Sequence, residues 1–138
     1  MNGCWEAHEW YEAAVEDLRE AVFLIDNGWY PDACFHAQQA AEKALKAFLR
    51  ASGIVARTHR LSQLARAAEH HGLDLSGIGE EELELLTEQY MAPRYPNFRQ
   101  ERGLSLADYT EEFARRCLSL ARDILRRVER CLRERGLL

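Results

Sequence analysis

Between Ala33 and Ala47 the chain places six alanines, Ala33, Ala37, Ala40, Ala41, Ala44 and Ala47, at steps of three and four with one adjacent pair. Alanine is the strongest helix former and is depleted from strands, so this stretch can hardly be anything but a helix. Its small side chains also make that helix slim. A slim helix lets neighbouring helices approach closely, which suits a central, well-packed position. Pro31 and Asp32 fit its first turn, because proline's φ is already helical and an early acid opposes the positive end of the helix dipole. Cys34, Ala37, Ala41, Leu45 and Phe48 continue the apolar stripe to a stop at Gly53.

The flanking segments repeat the helical period. Ala7, Tyr11, Ala14, Leu18, Ala21 and Ile25 form one stripe of a first helix expected from about Trp5 to Asn27, with Gly28 as the stop. Most of Glu6, Glu9, Glu12, Glu16 and Glu20 falls off that stripe. The short turn between them makes the first two helices an antiparallel hairpin. Thr58 is the expected N-cap of a third helix over about His59 to His71. A fourth should run from about Glu80 to Met91, led by Glu80, Glu81 and Glu82. Residues 93–103, with two prolines and three arginines, read as an exposed loop, and a last helix should open at Leu104 or Leu106 and reach Arg135. No alternating strand pattern occurs, so the expected fold is all-α: an up-and-down four-helix bundle with an additional short helix.

With 138 residues, 47% of them apolar and 30% charged, the chain has the composition of one folded domain rather than a disordered segment. A single helical domain over residues 1–138 is expected. No run approaches the ~18 apolar residues of a membrane span. Residues 1–6 lack the basic-then-apolar pattern of an export leader. Cys4, Cys34, Cys117 and Cys131 are scattered without a Cys-x-x-Cys pair, which fits free thiols in a cytoplasmic protein. His8, His36, His70 and His71 show no ligand spacing, so neither a metal nor another cofactor is expected. Glycine-rich phosphate loops and nucleophile elbows are also absent. Trp5, Trp10, Trp29 and Tyr11 are expected in the core or at a dimer surface.

The formal net charge of −5 hides an asymmetry. Residues 1–56 carry 4 basic and 9 acidic groups and residues 57–113 carry 6 and 11, whereas residues 114–138 hold 8 arginines against 3 acids. Plotted at 100° per residue, Arg115, Arg122, Arg126, Arg130 and Arg133, with Arg116 and Arg127, form a ridge opposite Cys117, Leu120, Ala121, Ile124, Leu125, Val128, Cys131 and Leu132. Such a ridge is either a solvated surface or a site for phosphate or acidic partners, because guanidinium forks match phosphate and carboxylate oxygens. Asp123, Glu129 and Glu134 dilute it, and no aromatic residue interleaves with it for base stacking.

The segment Tyr30-Pro31-Asp32-Ala33-Cys34-Phe35-His36-Ala37-Gln38-Gln39-Ala40-Ala41-Glu42-Lys43-Ala44-Leu45-Lys46-Ala47 resembles the signature helix of HEPN domains. The likeness continues at Thr58-His59-Arg60-Leu61, at Arg94-Tyr95-Pro96 and at Tyr109, in the same order over nearly the whole chain. The resemblance implies a dimeric helical bundle, often encoded beside a minimal nucleotidyltransferase. It also implies a role in a toxin–antitoxin-like module or in binding a nucleotide. A ribonuclease branch of that family uses an arginine and a histidine four to six residues apart. The one pair here at that spacing is Arg66 and His71, which lies before the usual position of the motif and diverges by about 140° on a helix.

The leading expectation is therefore a homodimeric, non-catalytic domain that offers Gln39, Glu42, Lys43, His59, Arg94 and Tyr95 to a nucleotidyltransferase or a nucleotide. Gln38, Gln39, Glu42 and Lys43 form a polar patch on an otherwise alanine-rich helix. His59 can bond within the bundle or touch a ligand. Arg94 and Tyr95 fall where exposed side chains serve binding. The alternatives are a metal-independent endoribonuclease toxin acting on RNA through Arg66, His71 or the C-terminal arginines, and a plain dimerisation module. Neither the nucleotide, the partner nor the dimer surface is named by the sequence. Whether Tyr95 or Tyr109 is modified is left equally open.

Overall fold

The computed structural model describes residues 2–138. Six helices follow one another: α1 (Asn2–Asp26), α2 (Tyr30–Ala51), α3 (Leu61–His70), α4 (Glu80–Thr87), α5 (Pro96–Glu101) and α6 (Glu111–Glu134). A 3₁₀ turn extends α4 over Glu88–Tyr90, and another at Leu106–Asp108 precedes α6. The described residues contain no strand, and the fold is all-α.

The alanine periodicity explains the packing. Ala33, Ala37, Ala40, Ala41, Ala44 and Ala47 are all buried, as are Ala7, Ala14 and Ala21 of α1. The α1–α2 pair is the most extensive in the molecule, and α2 against α6 is next. Leu45, Phe48 and Leu49 of α2 meet Leu61, Leu64, Leu86, Ile124, Val128 and Leu132 in one contiguous core. Two thiols join that core: Cys34 lies buried against Cys117, and this contact together with burial pushes the Cys34 pKa far up. Tyr109 is buried before α6, its hydroxyl donating to Gln89 Oε1 at 2.6 Å.

Several boundaries depart from the sequence expectation. Thr58 does not cap α3; its Oγ1 accepts from Arg60 N–H at 3.1 Å, while the Leu61 N–H that opens the helix donates to Thr87 Oγ1 at 3.0 Å. A cap borrowed from α4 is invisible to a local pattern. Residues 96–101 are helical rather than loop, because Pro96 occupies the first turn, where its missing N–H costs nothing. The last helix opens at Glu111, not at Leu104 or Leu106, since Thr110 Oγ1 accepts from Phe113 N–H and Glu111 and Glu112 follow at once. Trp5 and Trp29 are 67% and 60% exposed, so they are not core residues, while Trp10 and Tyr11 are half-buried.

Close helix approach makes added volume costly. Ala37→Leu should destabilise the fold by roughly 1–3 kcal/mol through overpacking. The exposed Gln63→Leu should shift it by less than about 0.5 kcal/mol. Urea denaturation of both variants measures the difference.

Candidate functional site

The alanines that turn toward α1 and the core leave another face of α2 to Phe35, Gln39, Glu42 and Lys46, spaced by three and four residues. Glu42 is the centre of this face. Although charged, it is 4% exposed, and both its oxygens are occupied. Gln38 Nε2 donates to Oε1 at 3.0 Å and Lys46 Nζ to Oε2 at 3.0 Å. His59 Nδ1 lies 3.1 Å from each oxygen. An ionised carboxylate can only accept, so Nδ1 carries the hydrogen and Nε2 is left as the second polar atom of a half-exposed ring. Burial by itself would raise the Glu42 pKa. The hydrogen bonds from Gln38, Lys46 and His59, with the Lys46 charge, outweigh it and hold the carboxyl below its ordinary value.

Aromatic rings extend the site outward from His59. Its ring stacks on Tyr90 at 4.5 Å between centroids and 18° between planes. Tyr90 leans on Phe35 at 6.2 Å. The exposed Arg94 guanidinium lies 4.5 Å from the Phe35 ring, 4.9 Å from Tyr90 and 5.2 Å from Tyr95, and Arg94 Nε donates to the Tyr90 carbonyl at 3.2 Å. A fixed cation among three rings is a surface for anions and planar groups alike. On the other side of Glu42, Lys46 Nζ sits 5.5 Å over Trp10, and a groove of about 290 Å³ is lined by Trp10, Lys46, Arg50, Val55, Ala56 and Arg57.

The structure brings together Glu42 with His59, and Arg94 with Tyr95. Gln39 joins Glu42 indirectly, donating to Gln38 Oε1 at 2.7 Å. Lys43 turns the other way, to Asp17 Oδ2 of α1 at 2.6 Å. Arg66 projects from α3 toward Glu80 at 3.3 Å, and His71 Nδ1 bonds the Ala67 carbonyl of its own helix at 3.0 Å, so the two meet at no common point. Of the arginine ridge, Arg115 pairs with Glu111 and Arg133 with Glu129, whereas Arg122, Arg126 and Arg130 make no ion pair among the described residues. Arg127 is structural: it holds Asp123 and donates to the carbonyls of Asp74 and Ser76.

Sequence reasoning missed Phe35, Lys46 and Tyr90 as site residues. Phe35 and Lys46 were readable from their spacing with Gln39 and Glu42, and Tyr90 from its position four residues before Arg94. It also missed Asp17, Glu20 and His36, which converge from two helices at 2.9 and 3.0 Å about His36 Nδ1.

The profile of the HEPN domain matches residues 7–131. A protein of Methanocaldococcus jannaschii, named as a candidate toxin, is 35% identical over 130 residues, which is 88% of this chain and 85% of that protein. Two solved structures are also similar. A protein from Thermus thermophilus aligns with a TM-score of 0.79 and 35% identity over 91% of this chain and 97% of its own. An archaeal HEPN homologue aligns with a TM-score of 0.69 and 34% identity over 90% and 95%.

Removing the Glu42 charge should both weaken the fold and flatten its response to acid. Because the folded carboxyl holds its proton less tightly than the unfolded one, its contribution is complete above pH 4.5 and is lost as pH falls through the lower folded value. Glu42→Gln, which strands Lys46, should cost on the order of 3 kcal/mol at pH 7. Its melting temperature should also fall less than the wild type's between pH 6 and pH 3, roughly the span over which carboxylates titrate. Thermal melts across that range provide the measurement.

Proposed function

The chain belongs to the HEPN family, and from that premise we propose that it is the partner-binding member of a toxin–antitoxin-like module, docking a nucleotidyltransferase or a nucleotide on the His59–Tyr90–Arg94 face. The observation that carries the reading is Glu42. A buried carboxylate with both oxygens engaged fixes the His59 tautomer and ring plane before any ligand arrives. Preorganised groups lose less entropy on binding than mobile ones. Beyond the ring stack, the exposed Arg94 supplies a forked cation for phosphate or carboxylate, and Tyr95, 41% exposed, offers a flat amphipathic surface of the kind that anchors interfaces.

The relative named as a candidate toxin supports the modular role. Self-association belongs to the same reading: Trp5, Phe23 and Trp29 are each at least 60% exposed and supply apolar surface for a second copy. Placement in the cytoplasm is part of it as well, in keeping with four free cysteines, and among the described residues no helix is long and apolar enough to cross a membrane.

Co-expression with a minimal nucleotidyltransferase from a neighbouring gene, followed by co-purification and titration calorimetry, tests the reading. Binding should be retained by the wild type. It should weaken about tenfold or more, that is by at least ~1.4 kcal/mol, in His59→Ala and Arg94→Ala. Arg94 is exposed, so Arg94→Ala should move the melting temperature little, whereas His59→Ala also removes a hydrogen bond to the buried Glu42 and should lower it. Failure to bind either the enzyme or a nucleoside triphosphate removes the proposal. Growth inhibition on expression that disappears with His71→Ala would instead favour RNA cleavage.

A further inference from the structure

Next to the ring platform, on the seam between α1 and α2, three side chains turn toward one point. His36 Nδ1 of α2 lies 2.9 Å from Asp17 Oδ1 and 3.0 Å from Glu20 Oε2, both on α1. One atom from each of the three residues lies within 4.8 Å of the other two. Ionised carboxylate oxygens bring no hydrogen, and Nδ1 brings at most one. A single hydrogen cannot point well at two oxygens, so the group holds more lone pairs than its own protons can serve. A cation fits that deficit.

The surroundings fit a metal ion in particular. We propose that Asp17, Glu20 and His36 form a binding site for a divalent transition-metal cation of the zinc class, pinning α1 to α2. Ligand bonds of about 2.0–2.2 Å to imidazole nitrogen and carboxylate oxygen set tetrahedral ligand-to-ligand edges near ~3.4 Å. The two edges from His36 Nδ1 fall within a few tenths of an ångström of that, and the two carboxylate oxygens lie within 4.8 Å of each other. One nitrogen with two oxygens suits zinc better than the all-oxygen shells of calcium or magnesium. Asp17 is 7% exposed, and Lys43 Nζ holds its other oxygen at 2.6 Å, orienting Oδ1 toward the trio as outer hydrogen bonds orient metal ligands elsewhere. An open groove of about 430 Å³, lined by Arg19, Glu20, Phe23, Leu24 and His36, supplies an entry path and room for a water as fourth ligand. The site needs neither the nucleotidyltransferase nor the Glu42 cluster, so it stands or falls separately from the partner reading.

Titration calorimetry and thermal melts with zinc chloride, on full-length protein carrying Cys4→Ser to remove an exposed thiol, decide the matter. One zinc per chain should bind and raise the melting temperature. Glu20→Gln and His36→Gln should each weaken binding tenfold or more and abolish the rise. Glu20 is half-exposed at its carboxylate, so its variant folds and keeps the comparison valid. No heat and no stabilisation in the unsubstituted site would sink the proposal. So would equal binding by both variants, which would place the ion elsewhere, for instance at His70 and His71.

Discussion

Everything in this molecule rests on how closely α1 and α2 pack. Alanine lines both sides of that contact, with Ala7, Ala14 and Ala21 on one helix and Ala33, Ala40 and Ala47 among those on the other. Dispersion falls off steeply with distance, so small residues that let two backbones approach recover contact energy that a longer side chain would supply by itself. The arrangement has a second effect. Because the small side chains occupy the packed arcs of α2, its larger and polar residues are collected onto the remaining arc. Phe35, Gln39, Glu42 and Lys46 therefore share one face, and that face is available to α3 and to the residues after α4.

A buried carboxylate in such a place is costly unless hydrogen bonds and charge compensate it. Glu42 offsets much of that cost, because an amide, an ammonium and an imidazole together engage both its oxygens, and no buried side-chain nitrogen or oxygen among the described residues lacks a partner. The same contacts join three stretches of chain. Gln38 and Lys46 come from one helix and His59 from the extended run before α3, while Tyr90, under the imidazole, comes from the turn after α4. The groups proposed to meet a partner are thus also those that hold the tertiary structure, with His59 anchoring the α2–α3 connection.

Much of this was legible in the sequence, and the rest failed for identifiable reasons. The alanine period, the stops at Gly28 and Gly53 and the amphipathic final helix were enough for an all-α bundle, because each is a local signal repeated along the chain. The α3 start was misplaced because Thr87, 26 residues away in sequence from Leu61, supplies the hydrogen bond that Thr58 was expected to give. The 96–101 helix was lost because two prolines and a cluster of arginines outweighed the helix-compatible position of Pro96. At the site, Glu42, His59, Arg94 and Tyr95 stood out through the family resemblance. The pairing of Lys43 with Asp17, and the approach of His36 to Glu20, depend on how two helices are rotated against each other, and neither helix alone records that rotation.

The arginines at the end of α6 carry a further consequence. Arg127 donates to the carbonyls of Asp74 and Ser76, and Arg135 to the carbonyl of His71 and to Ser52 while lying over Phe48. The connection between α3 and α4 therefore has part of its backbone hydrogen bonding completed by the chain's last two turns. Local opening is cooperative when elements share their bonds. Fraying at the end of the chain would therefore leave the Asp74, Ser76 and His71 carbonyls to water, so a change at one end of the chain reaches its middle.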